Sequence, residues 1–224
     1  MRKTFAAIIC AGLLLTISST VTASPISFHF DVNTAPLIGS SGGPFSIDFQ
    51  LIDGSGTPAV SNSAALTHFA FGGGSAVGSA SVSGGAAGDL SSTVLLTDSG
   101  FLNEFFQAFI PGSRLSFDLT LTRNVGPGPT PDAFSFAILN GSLANIPTTG
   151  LGDSLLLVSI TSPVLGIDDV RTSTSTGPAG ISVTGFEVPE PASVLLVGIG
   201  LAGLGTQYRR RRFARTQRMA APPL

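Results

Sequence analysis

The sequence predicts an all-β fold for the central part of the chain, an antiparallel β-sandwich of jelly-roll type. Short runs in which apolar and polar residues alternate recur along residues 24–187, and a period of two is typical of strands with one buried face. Glycine, proline, asparagine and aspartate separate these runs, as expected of turns. Because 43% of the residues are hydrophobic and only 11% are charged, two packed sheets are the architecture that this body favours.

Between nine and eleven strands are predicted from these runs. The most regular segments are ISFHFDV (26–32), FSIDFQL (45–51), LSFDLTL (115–121) and AFSFAIL (133–139). Further strands are predicted at STVLLT (92–97), SLLLVSI (154–160) and ISVTGFEV (181–188), with weaker candidates at LTHFAFGG (66–73) and GSASVSG (78–84). The segment FLNEFFQAFI (101–110) fits a helical turn or a strand, and we favour a strand because Pro111-Gly112 ends it like a turn.

The body must be held together by burial of apolar side chains. Cys10 is the single cysteine and precedes the body, so no disulfide forms within it. Phenylalanine is the main aromatic residue, with 16 copies against one tyrosine and no tryptophan. Each buried phenylalanine contributes roughly 1.5–3 kcal/mol, and about 165 residues suffice for one core of ordinary size.

The N-terminus is predicted to be a signal peptide over residues 1–23. Arg2 and Lys3 precede an apolar run from Phe5 to Ile17, and a polar stretch follows. Small residues at Val21 and Ala23 fit the positions that signal peptidase reads, so we expect cleavage between Ala23 and Ser24. The alternatives, a transmembrane anchor or a core helix, are disfavoured because the apolar run is short for a span and the polar stretch with small residues after it fits cleavage better.

The C-terminal region combines a short apolar stretch with a basic cluster. Residues 192–206 carry no charge, and a helix of this length covers about 22 Å, enough for a thin membrane span. We therefore predict a transmembrane helix over residues 192–207 and a basic cytoplasmic tail over residues 213–224. The cationic residues that hold the cytoplasmic side are Arg209, Arg210, Arg211 and Arg212. The body then lies on the far side of the inner membrane, in agreement with the signal peptide.

A Pro-Glu-Pro sequence precedes this helix. Pro189 and Pro191 keep Glu190 extended, because proline lacks the N–H and restricts the residue before it. The order Pro-Glu-Pro, short span and arginine cluster over residues 188–212 resembles the PEP-CTERM sorting signal of bacterial secreted proteins. The resemblance implies processing by exosortase, a membrane-embedded cysteine protease, and an association with exopolysaccharide and biofilm. A plain C-terminal anchor is the alternative.

The charge distribution of the body argues against nucleic acid as a partner. Between Ser24 and Val188 the only basic residues are Arg114, Arg123 and Arg171, and acidic residues greatly outnumber them. Binding to phosphate groups requires clustered lysine and arginine. We expect the partners to be exosortase, signal peptidase with the secretion machinery, the inner membrane and exopolysaccharide.

Oxygen donors in several turns make calcium the one cofactor that the sequence suggests. Asp168 and Asp169 are the favoured ligands, and Asp53 and Asp98 occupy similar glycine-containing turns. The alternative is that these aspartates only form turns, where their side chains bind nearby backbone N–H groups.

Catalytic patterns are not found. His29 and His68 alternate out of phase with the phenylalanines, so both are expected to point to solvent or a sheet edge. No HxH or HExxH sequence occurs. Glu104 and Asp118 are available for glycoside hydrolysis, which requires two carboxylates facing each other across a cleft.

Three functions follow from these observations, in order of preference. The first is a non-enzymatic protein of the cell surface or extracellular matrix, released after processing. The second is a carbohydrate-binding module, disfavoured because the body has no tryptophan or tyrosine for stacking on sugars. The third is a secreted hydrolase, which lacks a recognisable catalytic constellation.

Overall fold

The structure is a computed structural model that describes residues 25–54, 61–125, 129–161, 170–176 and 180–187. In these ranges the regular elements are β-strands and two short 3-10 helices, Ala35–Leu37 and Leu151–Asp153. The predicted all-β body is therefore confirmed. The strands of the described residues are β1 (Ile26–Asn33), β2 (Phe45–Ile52), β3 (Ser63–Ala70), β4 (Ser75–Ala76), β5 (Ser81–Ser83), β6 (Gly85–Gly88), β7 (Val94–Thr97), β8 (Leu102–Ile110), β9 (Arg114–Leu121), β10 (Asp132–Leu139), β11 (Leu156–Ile160), β12 (Val170–Thr172) and β13 (Val183–Glu187).

These strands form two antiparallel sheets. Sheet A has six strands in the order β13-β1-β9-β3-β7-β6, and sheet B has seven strands in the order β12-β11-β10-β2-β8-β4, with β5 also pairing with β8. Strands that follow one another in the chain often lie in different sheets, as β1, β2 and β3 do. The two sheets are therefore joined by many loops that cross from one layer to the other.

One hydrophobic core lies between the sheets. Phe117 of sheet A packs edge-on against two rings of sheet B, with centroid distances of 5.3 Å to Phe49 and 5.4 Å to Phe136. Such edge-to-face packing is favoured by the charge distribution of aromatic rings. The alternating residues of β1 that were predicted to face inward, from Ile26 to Val32, are buried. Phenylalanine is thus the main filler of the core, as expected.

The segment whose class was ambiguous is a strand. Strand β8 pairs with β2 along eight residue pairs, from Phe45 with Phe109 to Ile52 with Leu102. Every second residue of β8 is buried, and this alternation places Phe105 and Phe109 in the core. The preference for a strand at residues 101–110 is confirmed.

The structure has more strands than the nine to eleven predicted, because several are very short. Strands β4, β5 and β6 span two to four residues of a segment rich in glycine and serine. Alternation cannot be recognised over so few residues. They pair with β7 and β8 and extend the edges of both sheets.

Candidate functional site

The site residues that the sequence analysis favoured lie outside the described residues. They are the cleavage pair Ala23 and Ser24, the calcium candidates Asp168 and Asp169, and the sorting residues Pro189, Glu190, Pro191, Arg209, Arg210, Arg211 and Arg212. In the described ranges, no helix is both long and apolar enough to cross a membrane. The predicted helix over residues 192–207 also lies outside these ranges.

Three carboxylates converge at one end of the sheets. Asp53 directly follows β2, and Asp132 begins β10, which is the neighbour of β2 in sheet B. Asp98 directly follows β7 of sheet A. Each side chain offers an oxygen that lies within 4.8 Å of an oxygen of the other two. We call this group the carboxylate triad, and it links the two sheets.

Hydrogen bonds fix the position of Asp132 in the triad. Its Oδ1 accepts a hydrogen bond from the Gly54 N–H at 3.0 Å, and its Oδ2 accepts one from Asn62 Nδ2 at 2.7 Å. The Asn62 Oδ1 in turn accepts bonds from Thr122 Oγ1 and the Asn124 N–H. Asn62 is almost fully buried, with 2% of its surface exposed. The amide is therefore held in one orientation, with its donor toward the carboxylate.

Gly54 is required at its position by a close approach of two chain segments. A Cβ atom at this residue would collide with the carbonyl oxygens of Thr130 and Pro131. The chain just after β2 is thus packed directly against the chain just before β10. This contact brings Asp53 and Asp132 together.

The environment of Asp98 disfavours a negative charge. Burial and the nearby carboxylates of Asp53 and Asp132 together raise the pKa of its carboxyl from 3.8 to about 6, against a backbone hydrogen bond from Asn62. The Asp98 Oδ1 atom is buried and has no hydrogen-bond partner among the described residues. Asp53 and Asp132 are also buried, with 6% and 9% of their surfaces exposed.

A second polar cluster lies on the outer face of sheet A. His29 of β1 and His68 of β3 contact the two carboxylate oxygens of Asp118 on the intervening strand β9, with N–O distances of 2.5 Å and 2.9 Å. His29 Nε2 also lies 3.6 Å from Asp31. Both histidines point away from the core, as predicted. That they share one carboxylate was not predicted.

His68 owes its position to an irregularity of β3. The register of β3 with β9 shifts between Thr67 and Ala70, which is typical of a β-bulge. Its φ angle of 54° lies in the left-handed region, which is costly for any residue other than glycine. The bulge turns the His68 side chain toward Asp118.

An open cleft of about 260 Å³ borders this cluster. Arg114 Nε lies 3.3 Å from Asp31 Oδ1 at its wall. The polar residues that line the cleft are Asp31, Asn33, Ser113, Arg114, Ser182 and Thr184. A carboxylate, a guanidinium group, an amide and several hydroxyl groups thus face one space, where they can form hydrogen bonds with a polar ligand.

Glu104 and Asp118 do not form the facing pair that glycoside hydrolysis requires. Glu104 is in β8 of sheet B, and Asp118 is in β9 of sheet A. Their neighbours Phe105 and Phe117 fill the core between the sheets, so the two carboxylates lie on opposite outer faces. Glu104 is instead bridged to Asp48 by Gln50, whose Nε2 lies 3.0 Å and 2.9 Å from the two carboxylates.

Comparison with known proteins concerns the C-terminal part of the chain. The family model of the PEP-CTERM protein-sorting motif matches residues 187–212. The chain carries a PEP-CTERM sorting motif. The resemblance inferred from the Pro-Glu-Pro sequence is thereby confirmed. No curated protein and no solved structure matches the chain.

The PEP-CTERM motif gives the protein a class and a processing partner. PEP-CTERM proteins are substrates of exosortase, so the motif implies export and a membrane-anchored sorting signal. The motif begins at Glu187, which is also the last residue of β13. Strand β13, the last strand of the described residues, therefore ends at the residue where the PEP-CTERM motif begins.

Sequence reasoning found part of each polar cluster in the PEP-CTERM body. Asp53 and Asp98 were recognised as possible calcium ligands, whereas Asp132 and Asn62 were missed. Asp132 follows a proline-rich loop, and nothing in the sequence around it indicates a ligand-binding residue. The only available hint was that all three aspartates stand at predicted strand ends, where side chains from different strands meet.

Proposed function

We propose that this PEP-CTERM protein is an exported, exosortase-processed protein of the cell surface or extracellular matrix, associated with exopolysaccharide or biofilm and without enzymatic activity. The observation that carries this proposal is the sorting motif at residues 187–212. The predicted signal peptide over residues 1–23 supports the same route from the opposite end of the chain.

The boundary between body and motif supports processing without loss of the fold. Strand β13 is at the edge of sheet A and pairs with β1 from Val183 opposite Val32 to Glu187 opposite Phe28. Only Glu187 belongs to both the strand and the motif. A cut near Pro189 thus removes the tail and leaves the described strand pairs intact.

The strand order supports a jelly-roll topology for the body. Strands β1, β9, β3 and β7 are neighbours in sheet A, and β2, β8 and β4 are neighbours in sheet B. The chain therefore alternates between the layers, as in two Greek keys wound together. Strands β10 to β13 extend the two sheets at the opposite edge.

Substitution in the Pro-Glu-Pro sequence tests the sorting role. We expect Glu190→Ala expressed in the native host to accumulate in the inner membrane as the longer, unprocessed chain. The matched control is Glu187→Ala, which removes a nearby acidic residue outside the Pro-Glu-Pro sequence and should be processed normally. Normal release of the Glu190→Ala protein into the extracellular fraction would contradict the proposal.

A carbohydrate-binding role is the second candidate, and the cleft beside Asp31 and Arg114 favours it. Its carboxylate, guanidinium and hydroxyl groups are suited to binding sugar hydroxyls through hydrogen bonds. The test is a glycan array probed with the secreted protein and with Arg114→Ala. Specific binding that the substitution removes would support this role, and the absence of binding by the unsubstituted protein would exclude it.

A further inference from the structure

The carboxylate triad has the composition of a hard-cation site. Asp53, Asp98 and Asp132 present up to six carboxylate oxygens, with ligand atoms within 4.8 Å of one another. Calcium binds six to eight oxygens, and carboxylates bind it through one or both oxygens. Zinc and copper prefer nitrogen and sulfur ligands, and magnesium keeps several waters in a rigid octahedron. A set of three carboxylates, of which Asp53 and Asp132 are buried and Asp98 is half-buried, therefore fits calcium best.

A second observation, independent of the clustering, points to a missing ligand. The Oδ1 atom of Asp98 is buried and accepts no hydrogen bond among the described residues. A buried carboxylate oxygen without a donor or a cation is costly. Asp53 and Asp132, the other two members, have more than nine-tenths of their surfaces buried. Water therefore cannot fully solvate the charge that these three residues share.

The position of the triad gives such an ion a structural role. Asp53 and Asp132 belong to neighbouring strands of sheet B, and Asp98 follows a strand of sheet A. Its backbone N–H donates to the Asn62 carbonyl, which holds it beside the start of β3. An ion bound by all three carboxylates would connect the sheets in a body that has no cysteine.

We propose that Asp53, Asp98 and Asp132 bind one calcium ion that ties sheet A to sheet B at this end of the fold. The ion acts as a structural cross-link between the sheets, a role that disulfides have in many exported proteins. This inference is independent of exosortase processing and of the carbohydrate-binding alternative.

Calorimetry of the full-length protein in detergent micelles is the appropriate test, because the chain has no tryptophan for fluorescence. Extracellular calcium modules bind with a Kd on the order of 0.1–1 mM. At about 100-fold excess over Kd, calcium is expected to raise the Tm by roughly 5–10 °C. The reference samples contain EDTA, or magnesium chloride at the same ionic strength.

The substitution Asp98→Asn separates an ion site from a merely structural aspartate. In EDTA, Asp98→Asn should melt at the same temperature as the unsubstituted protein or higher, because it removes repulsion between carboxylates. In calcium it should lose the calcium-dependent rise in Tm. The matched control is Asp48→Asn, since Asp48 likewise has a buried, unpartnered Oδ1 but lies outside the triad. This control should keep the full calcium response.

Three outcomes would overturn the proposal. The first is a Tm that calcium does not change, together with no heat of binding in a calcium titration. The second is an equal rise in magnesium, which would indicate ionic strength rather than a site. The third is an Asp98→Asn protein whose calcium response equals that of Asp48→Asn.

Discussion

His68 Nδ1 lies 2.9 Å from Asp118 Oδ2, in a contact between adjacent strands, and the backbone of His68 has a φ angle of 54°. The contact is exposed, since 79% of the His68 side chain is accessible to solvent. Exposed pairs of this kind contribute about 1 kcal/mol or less. The free-energy cost of the left-handed backbone and the free energy gained from the contact are therefore of similar magnitude.

The left-handed backbone at His68 predicts an unusual order of stabilities. We expect His68→Gly to be more stable than His68→Ala by about 1 kcal/mol, because glycine adopts positive φ without steric cost. Chemical denaturation followed by circular dichroism measures the difference. The adjacent Thr67 lies outside the residues with positive φ, so Thr67→Gly should be less stable than Thr67→Ala. The same order at both positions would contradict this account.

Asp48 predicts a dependence of stability on pH. Burial and the nearby Glu104 raise the pKa of Asp48 from 3.8 to about 7, against a hydrogen bond from Gln50. The unfolded chain releases this proton near pH 4 and the folded chain near pH 7, so the free energy of unfolding falls between these values. The loss is at most about 4 kcal/mol. A substitution that removes the charge of Asp48 should therefore stabilise the folded protein most above pH 7, where the carboxyl is ionised.

The variant Asp48→Asn isolates this contribution. In EDTA it should be more stable than the unsubstituted protein at pH 8, and the difference should largely disappear at pH 4. Urea denaturation at the two pH values measures it. A constant difference between pH 4 and pH 8 would show that Asp48 does not hold its proton in the folded state.

The buried amide of Asn103 predicts a large loss of stability on truncation. Its Nδ2 donates to the carbonyls of Leu51 and Gly100, and its Oδ1 accepts from the Gly85 N–H. Asn103 is fully buried, and Asn103→Ala removes its bonds to one buried and two part-buried backbone groups, at a cost of about 2–4 kcal/mol. The exposed Asn33 provides the control, and Asn33→Ala should cost less than about 1 kcal/mol. Equal losses for the two variants would contradict the role of Asn103.

The packing of rings between the sheets makes Phe117 a sensitive position. Phe117 is fully buried against Phe49 and Phe136, whereas Phe101 is 71% exposed. We expect Phe117→Ala to lower the free energy of unfolding by about 3–5 kcal/mol and Phe101→Ala to change it little. Denaturant titration of both variants provides the comparison. A small effect of Phe117→Ala would show that the sheets do not share one core.

The sequence was sufficient for the strands because strand burial is a local property. Alternation in residues 26–32 and 115–121 is visible over seven residues, and β1 and β9 contain these segments. The triad depends on contacts between residues far apart in the chain, such as Asp53 and Asp132. The local sequence around either residue does not indicate which residue lies beside it in space, because this depends on which strands pair. The same holds for His29 and His68, which were correctly directed outward but were not predicted to meet at Asp118.

The most direct test of the account is mass spectrometry of the protein purified from its native host, with and without exosortase. With exosortase we predict a chain that begins at Ser24 and ends near the Pro-Glu-Pro sequence, without Arg209–Arg212. Without exosortase the C-terminal residues should be retained and the protein should stay in the membrane fraction. A chain that keeps both its first 23 residues and its C-terminus, and remains in the cytosol of the normal host, would contradict the account.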